Sequence, residues 1–179
     1  MPTLISGSTG VNKITDGTIV DADVASGSTM TSHVPTFRAA LAANQDVNQG
    51  TTTTKIACSS ETFDTDNWYD TSAYRYTPQK AGYYQFHGQV AGGTGSLRAM
   101  YLDFKKNGSN YSGTNLYADN NSWDDMSLTH TDLIYMNGSS DYVEMWGAIV
   151  DNDNSTDRFF YDQSGGSLTF FTGYLIREG

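Results

Sequence analysis

Aromatic residues at alternate positions on both sides of a Pro/Gly segment constrain this chain more than any other feature. In the stretch Tyr69 to Phe86, YDTSAYRYTPQKAGYYQF, Tyr74 and Tyr76 alternate with Ala73, Arg75 and Thr77. Pro78 and Gly82 frame Gln79, Lys80 and Ala81. Tyr84 and Phe86 then follow at period two, with polar Gln85 and His87 on the other phase. Side chains two apart share one face of a strand. The stretch therefore predicts strand, turn, strand: an antiparallel pair with one buried face.

The rest of the chain from Pro35 onward fits a two-sheet sandwich around that pair. Phe37, Ala39 and Leu41 alternate as a first strand would, although FRAALAAN also allows a helical turn. The β-branched run GTTTTKIA, residues 50–57, predicts another strand. Further strands are expected at 84–90, 97–105, 111–117, 126–136, 142–150 and 168–176. Gly92-Gly93, Asn107-Gly108, Asn137-Gly138 and Gly165-Gly166 supply the turn signals between them. Short strands at this spacing, with no helical period between them, predict an all-β sandwich.

Residues 1–34 are different. They hold no aromatic residue, and their apolar residues are isolated: Leu4, Ile5, Val11, Ile14, Ile19, Val20 and Val24, with an Asp16-Gly17 turn between two of them. So little apolar surface cannot build a core within one chain. The expectation is two parts: an arm over 1–34, whose apolar residues meet copies of themselves or another protein, and a folded knob over 35–179.

Composition narrows the partners. Lys and Arg together number 10 against 20 Asp and Glu, a net charge of −10, so nothing here neutralises a row of phosphates and no nucleic-acid partner is expected. No apolar run reaches membrane-spanning length, and MPTLISGSTG lacks the charged-then-apolar pattern of a signal peptide. The single cysteine, Cys58, allows no intrachain disulfide and reads as a small buried thiol.

The order of these pieces resembles the globular head domain of the first complement component, within the tumour-necrosis-factor-like superfamily. Pro35-Thr36-Phe37-Arg38-Ala39 is similar to that family's opening strand. Phe63, Tyr69-Asp70, Tyr76 and Gly82-Tyr83-Tyr84-Gln85-Phe86 resemble its middle signature. Lys106-Asn107-Gly108 resembles its turn, Asn137-Gly138 to Trp146 its penultimate loop and strand, and Phe171-Thr172-Gly173-Tyr174-Leu175-Ile176 its closing strand. The resemblance implies a jelly-roll β-sandwich that packs as a homotrimer, with an extended N-terminal arm added. The family's usual cysteines and collagen stalk are absent. Lys13 to Gly27, KITDGTIVDADVASG, instead resembles short segments of phage fibre and virion appendage proteins.

In that frame Phe37, Tyr84, Phe86, Phe171 and Tyr174 are expected in the core or in trimer packing, Phe171 and Tyr174 foremost in the core. Tyr83, Trp146, Phe159, Phe160 and Phe170 are candidates for surface covered by a neighbour, or else for the intrachain core or single surface positions. Gly173 is expected to admit a close neighbour.

Catalysis finds little support. Of the three histidines, His33 lies by the arm, His87 on a polar strand phase, and His130 shares a strand face with Asp132. There is no Gly-x-Ser-x-Gly elbow and Cys58 has no evident base. No enzyme and no cofactor are expected. Asp151, Asp153 and Asp157 place oxygens at alternate positions as calcium loops do, but Thr156 stands where an EF-hand needs Gly and no closing Glu follows; a solvated polar loop is the better reading. Asp64, Asp66 and Asp70 read the same way. Trp68, Tyr69 and Trp123 lie among Asp and Asn residues, the pairing of aromatic plate and polar groups that a glycan site uses.

The functional expectation is a virion structural protein: a trimeric capsid decoration, cement or head-fibre protein on the phage particle. It docks on the major capsid protein or another virion protein by its arm and displays the knob. The alternative is the tip of a tail fibre, recognising host surface glycan through Trp68, Tyr69 and Trp123.

Overall fold

A computed structural model describes residues 33–47, 50–118, 123–152, 159–162 and 168–179. Among them every regular element is a β-strand. The expectations placed on residues 1–32, on Asp153 and Asp157, and on Gly165-Gly166 fall outside the described residues.

The longest strand, β7 (Ala81–Lys106), organises the rest. Its first part lies between β12 (Phe170–Glu178) and β9 (Trp123–Asn137); its second part lies between β10 (Val143–Asp151) and β8 (Ser109–Tyr117). All these pairings are antiparallel. β1 (Thr36–Ala40) adds to β12, and β4 (Ser60–Asp64) adds to β1. On the other side β6 (Arg75–Tyr76) and β3 (Thr54–Lys55) add to β10, and β5 (Tyr69–Asp70) adds to β6. The short strands β2 (Gln45–Asp46) and β11 (Phe159–Phe160) close the end near Gly92 and Gly93.

The two parts of β7 face each other across the core. Phe86, in the first part, lies 6.4 Å ring to ring from Phe104 in the second. Gly88 lets the layers approach closely; a Cβ there would stand 2.7 Å from Met145 Sδ. Phe37, Tyr76, Tyr84, Phe86, Phe104 and Phe171 are fully buried between the layers. Their rings stack or meet edge to face at 4.2 to 6.4 Å, geometries that add to simple area burial.

Four expectations change. The aromatic stretch does bury one face, but it is not a hairpin: β6 bonds to Tyr69 and Val143, not to β7. Tyr76 meets Tyr84 and Phe86 through side chains, at 6.0 Å each, while Phe37 stacks on it at 4.2 Å. Gly92-Gly93 is not a turn, because β7 runs straight through it. Gly92 is needed for close approach: a Cβ would meet Ile149 Cδ1 at 2.7 Å and the Phe159 carbonyl at 2.8 Å. Of the β-branched run 50–57, only Thr54–Lys55 forms strand. Tyr174 is not core. It lies three residues from Phe171, so on a strand it faces the opposite way, and it is exposed.

Other expectations hold. Asn107-Gly108 turns with both residues at positive φ (53° and 80°), the two-residue hairpin conformation that Asn-Gly favours. Gly173 admits the rings of Phe86 and Phe37, which a Cβ would meet at 2.7 and 3.0 Å. Cys58 is buried, and burial pushes its thiol up to about 12. Two candidates for cover by a neighbour differ: Phe160 is core, and Trp146 is covered within the chain, with Lys105 Nζ 3.7 Å from its ring.

Candidate functional site

The first layer, β4-β1-β12-β7-β9, has a second apolar face, turned away from the core. Register fixes its rows. Tyr83 pairs with Tyr135, their rings edge to face at 5.3 Å. Gln85 stands between Tyr174 and Leu133, and accepts a hydrogen bond at Oε1 from the Tyr174 hydroxyl at 3.0 Å. His87 stands between Thr172 and Thr131. Tyr83, Leu133, Tyr135, Tyr174 and Ile176 are each between 42% and 50% exposed. Five large apolar side chains on neighbouring strands form a contiguous patch, not scattered surface residues.

The local sequence explains why both faces are apolar. Leu133-Ile134-Tyr135-Met136 is apolar on both phases, with Ile134 and Met136 inward. Tyr83-Tyr84 and Tyr174-Leu175-Ile176 repeat that pattern, with Tyr84 and Leu175 inward. A strand with one solvated face alternates; unbroken apolar runs belong to strands covered on both sides. Leu133, Tyr135 and Ile176 were not singled out from sequence, yet these runs mark them.

The face is polar only at its middle and rim. His87 Nδ1 and Thr131 Oγ1 are 2.7 Å apart, and the imidazole lies 5.5 Å from the Phe170 ring. Burial, then the neighbouring His130, hold His87 below its ordinary value of 6.5, so it is neutral at physiological pH. Arg38 lies over Phe170 at 4.4 Å and donates to Thr62 Oγ1. Phe63 extends the exposed apolar surface on β4. Of the five residues considered for coverage by a neighbour, Tyr83 and Phe170 belong to this face.

The residues proposed for glycan contact do not converge. Tyr69 is buried, stacks on Phe37 at 5.1 Å, and donates its hydroxyl to the Cys58 carbonyl at 2.8 Å; it is core because its strand phase points inward. Trp68 packs beside Tyr76, with ring centres 6.3 Å apart. Trp123 pairs through its backbone with Leu97, which also pairs with Asp151 at one end of β10, whereas Tyr76 pairs with Val143 at the other. Eight residues of strand separate those ends, about 27 Å at about 3.4 Å per residue. The two tryptophans belong to opposite ends of the sandwich.

The acidic residues serve turns. Asp64 Oδ2 accepts the Tyr69 N–H at 2.6 Å. Asp70 Oδ1 accepts from the Ser72 hydroxyl and from the Ser72 and Ala73 N–H groups, which hold its carboxyl below the usual range. Asp151 is buried. Among the described residues no group of three metal-ligating side chains forms. His130 and Asp132 do not act on one another: His130 Nε2 meets Ser112 Oγ at 2.9 Å, and Asp132 accepts the Leu133 N–H at 2.7 Å. No helix among the described residues is long and apolar enough to cross a membrane.

No protein-family model and no curated protein matches the sequence. The fold does match solved structures. The globular domain of zebrafish complement 1qA protein superposes with a TM-score of 0.55 at 12% identity, covering 81% of this chain and 99% of that one. Murine APRIL at pH 8.0 gives 0.58 at 9% identity, covering 80% and 100%. Eiger TNF from S. frugiperda gives 0.55 at 9%, covering 82% and 93%. The chain has the all-β jelly-roll fold of complement and tumour-necrosis-factor heads.

Proposed function

We propose that this protein is a non-catalytic, homotrimeric structural protein of a phage virion: a capsid decoration, cement or head-fibre protein. Residues 1–34 dock on the major capsid protein or another virion protein, and the jelly-roll knob is displayed. The observation that carries the trimer is the outward face of Tyr83, Leu133, Tyr135, Tyr174 and Ile176, which two further copies would cover. The likeness to complement and tumour-necrosis-factor heads supports the same association. The phage assignment is supported by the likeness of Lys13–Gly27 to virion appendage segments and by the acidic, cysteine-poor composition.

A protein that binds assembled subunits better than free ones stabilises the assembly by mass action, which is the work of a cement protein. Sedimentation of the full chain tests the trimer: a three-chain species at micromolar concentration is expected, and a monomer there ends the reading. Cosedimentation with assembled phage capsid particles tests the docking. The full chain binds and residues 35–179 do not; equal binding by both would remove the arm's role. The tail-fibre alternative is weakened by the separation of Trp68 from Trp123 and the burial of Tyr69.

A further inference from the structure

The outward side of the second layer carries a groove of about 490 Å3 over β7 and β8. Tyr101, Asp103, Asn110, Tyr111 and Asn115 line it. Register places these groups together: Tyr101 pairs with Asn115 and Asp103 with Gly113. Tyr101 is held in place by Tyr117, with hydroxyls 2.8 Å apart and rings edge to face at 6.0 Å. Tyr111 is half exposed. A Cβ at Gly113 would overlap the Asp103 carboxylate and press on the Leu102 carbonyl at 3.0 Å, so a bare backbone gives that carboxylate its bed. Burial pushes the Asp103 carboxyl up, while Lys105, His130 and the Thr53 hydroxyl act to lower it.

We propose that this groove binds an uncharged pyranose unit of a glycan. The tyrosine rings lie against the sugar's CH face, and Asp103, Asn110 and Asn115 take its hydroxyls. Ring-plus-carboxylate-plus-amide is the chemistry that recognises a sugar's apolar face and polar edge together. An acidic sugar is disfavoured: the floor is a carboxylate, and the chain carries a net charge of −10. The groove is on the layer opposite the Tyr83–Tyr135 face, so it stays open whether or not copies associate there. It is also separate from Trp68, which does not line it.

The test is an array of neutral hexose and N-acetylhexosamine oligosaccharides beside sialylated and uronic-acid ones, probed with the full chain. Each hit is then titrated in solution by calorimetry. Neutral glycans are expected to bind. Asp103→Ala and Tyr111→Ala should each weaken binding by at least about tenfold, the scale of losing a charge-assisted hydrogen bond or a ring contact. Tyr111→Ala removes an exposed side chain, so an unchanged melting curve shows that its loss of binding is not unfolding. Binding to acidic glycans alone, binding that survives both substitutions, or no neutral glycan bound overturns the proposal. Sedimentation of the same samples reads the trimer separately, so failure of one reading is distinct from failure of the other.

Discussion

The outward faces of the two layers treat their aromatic residues in opposite ways. On the second layer Trp146 is capped by its own chain: Lys105 Nζ stands 3.7 Å from the ring, Lys55 Nζ 5.7 Å, and its indole N–H donates to Glu144. Glu144 in turn pairs with Lys55 at 2.6 Å. On the first layer, among the described residues, Tyr83, Leu133, Tyr135 and Ile176 have no such cap of charge, and Tyr174 bonds the neutral Gln85. Charged side chains lying across an indole keep a large ring compatible with water. A sheet face without them leaves its rings to water or to another protein surface, and this difference separates solvent-facing aromatics from those proposed to pack between copies.

The largest effect that sharpens the contrast comes from a pair three residues apart. Phe171→Ala removes a core ring and should cost about 3–5 kcal/mol in denaturant unfolding, whatever the protein concentration. Tyr174→Ala should leave the monomer's core intact. It should cost about 2 kcal/mol at each proposed contact and shift sedimentation toward smaller species as the sample is diluted. If Tyr174→Ala behaves like Phe171→Ala, the two faces are not distinct. Trp146→Ala should change association not at all and stability by about 1 kcal/mol, the scale of its exposed cation–π contacts.

Two pH effects are smaller. His87 lies within the first face, among Thr131, Thr172 and the Phe170 ring, with His130 and Arg38 as nearby charges. Its value in the folded chain is depressed, so its contribution is present above 6.5 and lost as pH falls through the lower folded value. Association should weaken as pH falls below 6.5 and the ring charges, and His87→Gln should flatten that dependence in sedimentation. A dependence left unchanged in His87→Gln would take His87 out of the interface. On the rim, burial raises Asp141, but hydrogen bonds from Lys106, Asn107 and the Asn137 N–H, with the charge of Lys106, outweigh it and hold the carboxyl low. Wild type and Asp141→Asn should melt apart above 3.8 and converge only as pH falls below it.

The sandwich, the strand positions and most of the core were legible because period-two alternation states which side chains face inward. Phe37, Tyr84, Phe86 and Phe171 follow it directly. Alternation does not state which strand lies alongside, so Tyr76 was assigned to a hairpin with Tyr84 when the two meet across the core. Parity was the missed signal at Tyr174. The apolar face was written in Leu133–Met136 and Tyr174–Ile176, where both phases are apolar, but only register shows that these runs are neighbours. The Asp103 groove had no local mark, since it is made by two strands whose pairing places Gly113 beside a carboxylate.

A single unbroken β7 belongs to both layers, and this has a consequence for how the molecule opens. Neither layer can detach without pulling its share of β7 away from the other, so partial unfolding of one side alone is suppressed. Amide protons in the two layers should exchange with solvent as one cooperative unit, and the sandwich should resist breathing until it fails all at once.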